Sequence, residues 1–137
     1  MLAAMDCIFC GIVAGDVPAR VIAETEDCLA FMDINPATYG HALVIPKRHA
    51  TDLIDIPAQD LARCTVLAQE IAGRALDNLG ADGVNLVNSC RPAAWQTVFH
   101  FHIHVVPRYA GRDGLSLPWV PAPGDPAQID QAAEALR

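Results

Sequence analysis

From Val98 to Val106 the chain alternates, with an apolar residue at every odd position from Phe99 and a histidine at 100, 102 and 104. A period of two predicts a strand over 98–106, with Phe99, Phe101, Ile103 and Val105 on one face and His100, His102 and His104 on the other. Shorter apolar runs at 20–24 and 28–33 predict two more strands. The polar Thr25-Glu26-Asp27 between them suits a hairpin. Residues 41–47, entered through Asn35-Pro36 and the turn-prone Gly40, predict a third strand, and 84–88 completes a set of five. In 57–79 the spacing changes to threes and fours: Leu61, Cys64, Ala68, Ile71 and Ala75 define one apolar helical face. Pro57 suits the first helical position and Gly80 the residue after the end. Cys7–Gly15 reads as a short helix or turn. Residues 127–136 predict a terminal helix on propensity.

Strands early and late, with one long helix between them, predict an α+β fold with a mainly antiparallel sheet rather than βαβ units. Residues 1–110 read as one compact unit. Residues 111–137, which contain the proline cluster Pro118, Pro121, Pro123 and Pro126, read as an extended arm and a short helix. This arm is expected to pack on its own domain or on a dimer partner.

Composition narrows the classes. A chain of 137 residues, 53% hydrophobic and 18% charged, has the length of one domain and the apolar content of a packed core. No apolar run reaches the ~18 residues that span a bilayer, so no membrane role is expected. The opening MLAAM lacks a basic, then apolar, leader pattern, which makes the cytoplasm the expected compartment. The net charge of −7 disfavours a nucleic-acid partner. A pocket for a small anion stays compatible with it. Five cysteines cannot all pair in one chain, and read as thiols or metal ligands.

Three histidines on one strand face admit three readings: a solvated polar face, a three-histidine metal site, or nucleophilic catalysis by one imidazole oriented by its neighbours. Same-face neighbours lie ~6.6 Å apart at ~3.3 Å rise per residue, which suits two ligands of one metal better than three.

The segment HFHIHVV fits the H-x-H-x-H-φ-φ signature, φ being apolar, and resembles the histidine triad (HIT) proteins. The stretch CIFCGIVAGDVPARVIAETEDCLAFMDINPATYGHALVIPKRH, Asn88 and the Gln96-Thr97 pair extend the likeness from Asp6 to Tyr109. The resemblance implies a small α+β fold, usually a homodimer whose two sheets join, that hydrolyses or transfers nucleotides. His102 is then the nucleophile that forms a nucleotidyl-histidine intermediate, its tautomer held by a backbone carbonyl. His104 donates to a phosphate oxygen, and Gln96, Thr97 and Asn88 serve the phosphate or leaving group. Asp33 meets the ribose hydroxyls. Phe9, Ile12, Phe31 and Ile34 flank a purine base. Read from the residues alone, those four are core positions and Asp33 is a turn residue.

Cys7 and Cys10 form a C-x-x-C, which alone fits half a zinc site or a redox pair. Zinc-bearing relatives of this type draw their remaining ligands from the places occupied here by His49 and His100. The resemblance therefore implies a structural zinc on Cys7, Cys10, His49 and His100. The implied activity is hydrolysis of a nucleoside phosphoramidate or similar purine nucleotide conjugate. Diadenosine polyphosphate hydrolysis or phosphorolysis, and a zinc-stabilised nucleotide-binding or scaffold protein with little turnover, are the alternatives. The 89–95 loop, SCRPAAW, departs from the family's small residues, with Trp95 directly before Gln96. Trp119 either reaches toward a partner's site or pins the arm to its own subunit.

Overall fold

A computed structural model describes residues 6–137; the MLAAM segment, on which the expectation of no leader rests, lies outside the described residues. Helix α1 (Ile8–Ala14) begins after Cys7, whose sulfur accepts from the Cys10 amide at 3.4 Å, and ends at Gly15 in the left-handed region. Strands β1 (Val21–Glu24) and β2 (Cys28–Met32) form the expected hairpin. Thr25 closes its turn, with the Cys28 amide donating to Thr25 Oγ1 at 3.0 Å. Then come β3 (Ala42–Pro46), the long helix α2 (Ala58–Leu79), β4 (Gly83–Val87), β5 (Ile103–Arg108) and helix α3 (Pro126–Leu136). The strands form one antiparallel sheet in the order β1-β2-β3-β5-β4, as the α+β expectation requires.

Both faces of the central strands are covered. Ala30, Val44, Ile103 and Val105 pack against Cys64, Leu67, Ala68 and Ile71 of α2. On the opposite face Leu29, Phe31, Leu43 and Ile45 pack against Phe9 of α1. That double burial explains why β2 and β3 read as apolar runs instead of clean alternations. Helix α2 buries the predicted stripe with two adjustments: Leu67 joins it and Leu61 is only partly buried. Pro57 is the N-cap and not the first helical residue, because its backbone is extended while its carbonyl already accepts from Leu61.

The largest correction concerns the histidine segment. Regular strand begins at Ile103, not at 98. Pairing with β3 reaches Val44 opposite Ile103 and stops. Two residues on, Pro46 has no amide to donate, and its carbonyl accepts from His100 Nε2 at 2.8 Å instead. The Phe101 amide turns to the Ala50 carbonyl at 2.7 Å. Residues 98–102 are therefore a bent lead-in to β5. Phe101, Ile103 and Val105 keep their place in the core, but Phe99 is 48% exposed.

Beyond Arg108 the chain is tethered by that residue's guanidinium, which grips the Asp113 carboxylate at 2.8 Å and the Leu115 carbonyl at 3.0 Å. Helix α3 carries no buried residue. No helix among the described residues is long and apolar enough to cross a membrane.

Candidate active site

The bend before β5 gives the three histidines three different environments. His100 is fully buried. Its Nε2–H donates to Pro46, which leaves the Nδ1 lone pair facing Cys7 Sγ at 3.4 Å and Cys10 Sγ at 3.5 Å. His49, just past β3, places Nδ1 3.2 Å from Cys10 Sγ. The four donor atoms lie within 4.8 Å of one another. Zinc bonds of ~2.3 Å to sulfur and ~2.0–2.1 Å to nitrogen at a tetrahedral angle put S and N about 3.5 Å apart, so the donor set fits such an ion. Burial pushes the His100 pKa down to about 4, which keeps Nδ1 free of a proton, and the Pro46 carbonyl orients the ring as outer-shell acceptors do.

His102 sits over α1, its ring 5.2 Å from that of Phe9 in an edge contact. Nδ1 lies 2.7 Å from the His100 carbonyl and donates to it. Neutral imidazole has one N–H, so Nε2 carries the lone pair. Burial lowers the His102 pKa and favours that neutral form; the bond to His100 and the charge of Asp33 oppose the shift. His104 is opposite Leu43 in the register, on the sheet face that α1 covers in part. Its ring centroid is 5.0 Å from that of His102, and burial pushes its pKa down to about 4.

A cleft of about 380 Å³ opens onto both rings. Phe9, Ile12, Phe31 and Ile34 line it together with Asp33 and Thr97, so six residues expected around a ligand share one cavity with His102 and His104. Phe9 and Phe31 are buried, whereas Ile34 is 77% exposed at the rim. The apolar half and the imidazoles make the cleft amphipathic, suited to a ligand with a flat apolar part and an anionic part.

Gln96 and Asn88 stand apart from this lining. Both ends of the Gln96 amide are committed to backbone: Oε1 accepts from the Arg91 amide at 2.6 Å, and Nε2 donates to Thr51 at 2.7 Å and Val98 at 3.2 Å. Gln96 thus clamps the turn whose next residues, Thr97 and Val98, line the cleft. Asn88 donates from Nδ2 to the His102 carbonyl at 2.9 Å, and so holds the backbone of the residue it was expected to assist across a phosphate. Its Oδ1 is buried without a protein partner. The departing loop is strained. Arg91 has φ 77° and ψ 159°, and Trp95 has φ 75° with its side chain 72% exposed.

His41 is the residue that sequence reasoning passed over. It is buried beneath His104, with Nε2 2.9 Å from His104 Nδ1 and 3.5 Å from Asp33 Oδ2. As the one histidine given no part in the sequence reading, it was itself a signal.

An antiparallel α+β sheet carrying an imidazole-lined cleft beside a Cys₂His₂ cluster defines the class. The chain belongs to the HIT domain family, whose model matches residues 14–111. Cys7 and Cys10 fall before that span. An uncharacterized HIT-like protein of Mycobacterium tuberculosis is 46% identical over 113 residues, 82% of this chain and 78% of its own length. The adenosine 5'-monophosphoramidase hnt1 of Schizosaccharomyces pombe is 36% identical over 132 residues, 96% of each chain. Among solved structures, a Zn-bound histidine triad family protein from Mycobacterium smegmatis is 44% identical with a TM-score of 0.79, covering 94% of this chain and 99% of its own.

Proposed function

We propose that this protein hydrolyses a nucleoside phosphoramidate or a similar purine nucleotide conjugate, through a covalent nucleotide on His102. One observation carries the reading: the His100 carbonyl accepts a hydrogen bond from Nδ1–H of His102 and so holds the proton on Nδ1, which leaves the lone pair on Nε2 of a ring that lines the cleft. That nitrogen attacks the α-phosphorus. The bond to the leaving group breaks, its electron pair goes to the departing amine, and a solvent proton completes it. Water then attacks the same phosphorus, the P–Nε2 bond breaks, and nucleoside monophosphate leaves. Beyond the nucleophile itself, the chemistry needs positioning and donors aimed at the negative charge spread over the phosphoryl oxygens. His104 supplies a donor beside His102, and Thr97 adds a hydroxyl to the same cleft. Phe9, Ile12, Phe31 and Ile34 take the base, and Asp33 takes the ribose hydroxyls. Gln96 and Asn88 act by holding the Thr97 turn and the His102 backbone. The monophosphoramidase relative supports the substrate class.

Zinc is the ion proposed for Cys7, Cys10, His49 and His100, supported by the donor geometry and by the Zn-bound relative. There it would be closed and structural, joining α1 to the segment that bears His102. A homodimer with joined sheets remains the expected assembly. An edge strand is available for it: β4 ends the sheet, with Leu86 and Val87 exposed. The 111–137 arm is assigned to the same domain or that partner, and the cytoplasm stays the proposed compartment.

The test is AMP release from an adenosine phosphoramidate by wild type beside His102→Asn, with acid quenching to trap adenylylated protein. Release and trapping in wild type, both absent from a folded His102→Asn, are expected. Equal release by the two proteins would remove His102 from the chemistry.

A further inference from the structure

We infer that His41 is a positioning residue for this reaction: it fixes His104 with its proton on Nε2, toward the cleft, and keeps the Asp33–His41–His104 group free of metal. The inference rests on the proposed function only for the purpose of that proton.

The argument starts from a backbone amide, which is a donor in every protonation state. The Ala37 amide points at His41 Nδ1 at 2.9 Å. Nδ1 must therefore offer a lone pair. A neutral imidazole carries one N–H, so the His41 proton is on Nε2. Nε2 faces His104 Nδ1 at 2.9 Å and Asp33 Oδ2 at the longer 3.5 Å. The shorter contact is a hydrogen bond, and in it His41 is the donor. His104 Nδ1 is then an acceptor, and the His104 proton sits on Nε2. Ala37, His41 and His104 form a one-way series of donors, and only its last N–H is free for a ligand. Successive bonds of this kind polarise one another in the same sense. Asp33 does not reverse the order, because its carboxylate can only accept and Oδ2, at 3.5 Å, is the more distant of the two groups facing Nε2.

The backbone keeps His41 in place. Gly40 adopts φ +86°, and a Cβ there would run into the Leu79 side chain, so only glycine fits the turn directly before His41. His41 itself is buried.

The same series separates two clusters that look alike as ligand sets. Asp33, His41 and His104 bring two histidines and a carboxylate within 4.8 Å of one another, the type of set that holds divalent transition metals. Ligation through His41 Nε2 would move its proton to Nδ1, against the Ala37 N–H. In the Cys7–Cys10–His49–His100 cluster the outer partner of His100 is a carbonyl, which releases Nδ1 for a metal. A donor behind one ring and an acceptor behind the other decide which group takes the ion.

Two variants separate positioning from structure. His41→Asn keeps an oxygen where Nδ1 was, for the Ala37 amide, and removes the donor toward His104. His41→Gln places an amide N–H near the former Nε2–H. In zinc-loaded, full-length protein labelled with 15N-histidine, wild-type His104 should show the Nε2–H tautomer. His41→Asn should lose that bias and lower kcat on an adenosine phosphoramidate on the order of 100-fold, the scale of one lost transition-state donor, with KM little changed. His41→Gln should restore the tautomer and most of kcat. Wild type should bind one zinc per chain. The inference is overturned by a wild-type His104 tautomer in His41→Asn, by equal impairment of both folded variants, or by a second zinc that His41→Asn releases. Should wild type fail to turn over the phosphoramidate, the proposed function fails, while the tautomer and zinc counts still decide the inference.

Discussion

His100 and His102 are joined by a hydrogen bond that runs back along the chain: His102 Nδ1 donates to the carbonyl of His100 at 2.7 Å, while the His100 ring faces Cys7 and Cys10. One residue thus orients the proposed nucleophile with its backbone and belongs to the Cys₂His₂ cluster with its side chain. Any shift of the ring in the cluster moves the carbonyl that fixes the tautomer of His102.

That coupling predicts the behaviour of the cluster's outer members. Cys7→Ser should bring zinc below one ion per chain and lower Tm on the order of 10 °C, because binding free energy at such a site adds to folding free energy. Activity should fall as a consequence, and the residual activity should return when the variant is measured well below its Tm. Metal analysis, thermal unfolding and AMP release at two temperatures check this. Full stability in a zinc-free Cys7→Ser would contradict it.

The pH dependence of stability follows from His104. Its folded pKa is pushed down to about 4 by burial, against an ordinary value of 6.5. Between these values the unfolded chain binds the proton and the folded chain does not. Stability is therefore complete above about pH 6.5 and falls as the pH drops toward 4. One such proton contributes up to ~1.4 kcal/mol per pH unit to the slope. Urea unfolding of wild type and His104→Gln across this window should give a shallower slope for the variant. Parallel slopes would show that His104 titrates alike in both states.

The 91–95 turn offers a stabilising change. Arg91 combines φ 77° with ψ 159°, a region open mainly to glycine, and its side-chain contact with Asp52 is long at 3.6 Å and exposed. Relief of the strain outweighs the loss of that contact, so Arg91→Gly should raise stability by about 1 kcal/mol even after the entropy cost of glycine. The urea midpoint should rise with an unchanged m value. A lower midpoint would mean that the turn holds no strain.

Much of the fold was legible in the order of residues. The apolar spacing from Leu61 to Ala75 defined α2, Thr25-Glu26-Asp27 defined the first hairpin, and H-x-H-x-H with C-x-x-C marked the segments that converge at the site. These are local signals, set by the 3.6 and 2.0 residue periods and by turn chemistry. The alternation at 98–106 misled on one point, since a pattern of side chains cannot report that Pro46 ends the ladder opposite it. It also left unassigned what each histidine does. The same residue type is a ring facing two cysteine sulfurs at 100, a lone pair at the cleft at 102, the proposed donor at 104 and a buried ring hydrogen-bonded to it at 41. The Pro46 carbonyl, the His100 carbonyl, His41 and the Ala37 amide make those assignments. For His100 and His104 the deciding group comes from elsewhere in the chain, and for His102 and His41 it comes from a local bend or turn that the side-chain pattern does not encode. Sequence determined which chemistry was available. The tertiary structure decided which nitrogen does what, because an imidazole's proton goes to whichever side the surrounding acceptor or donor dictates.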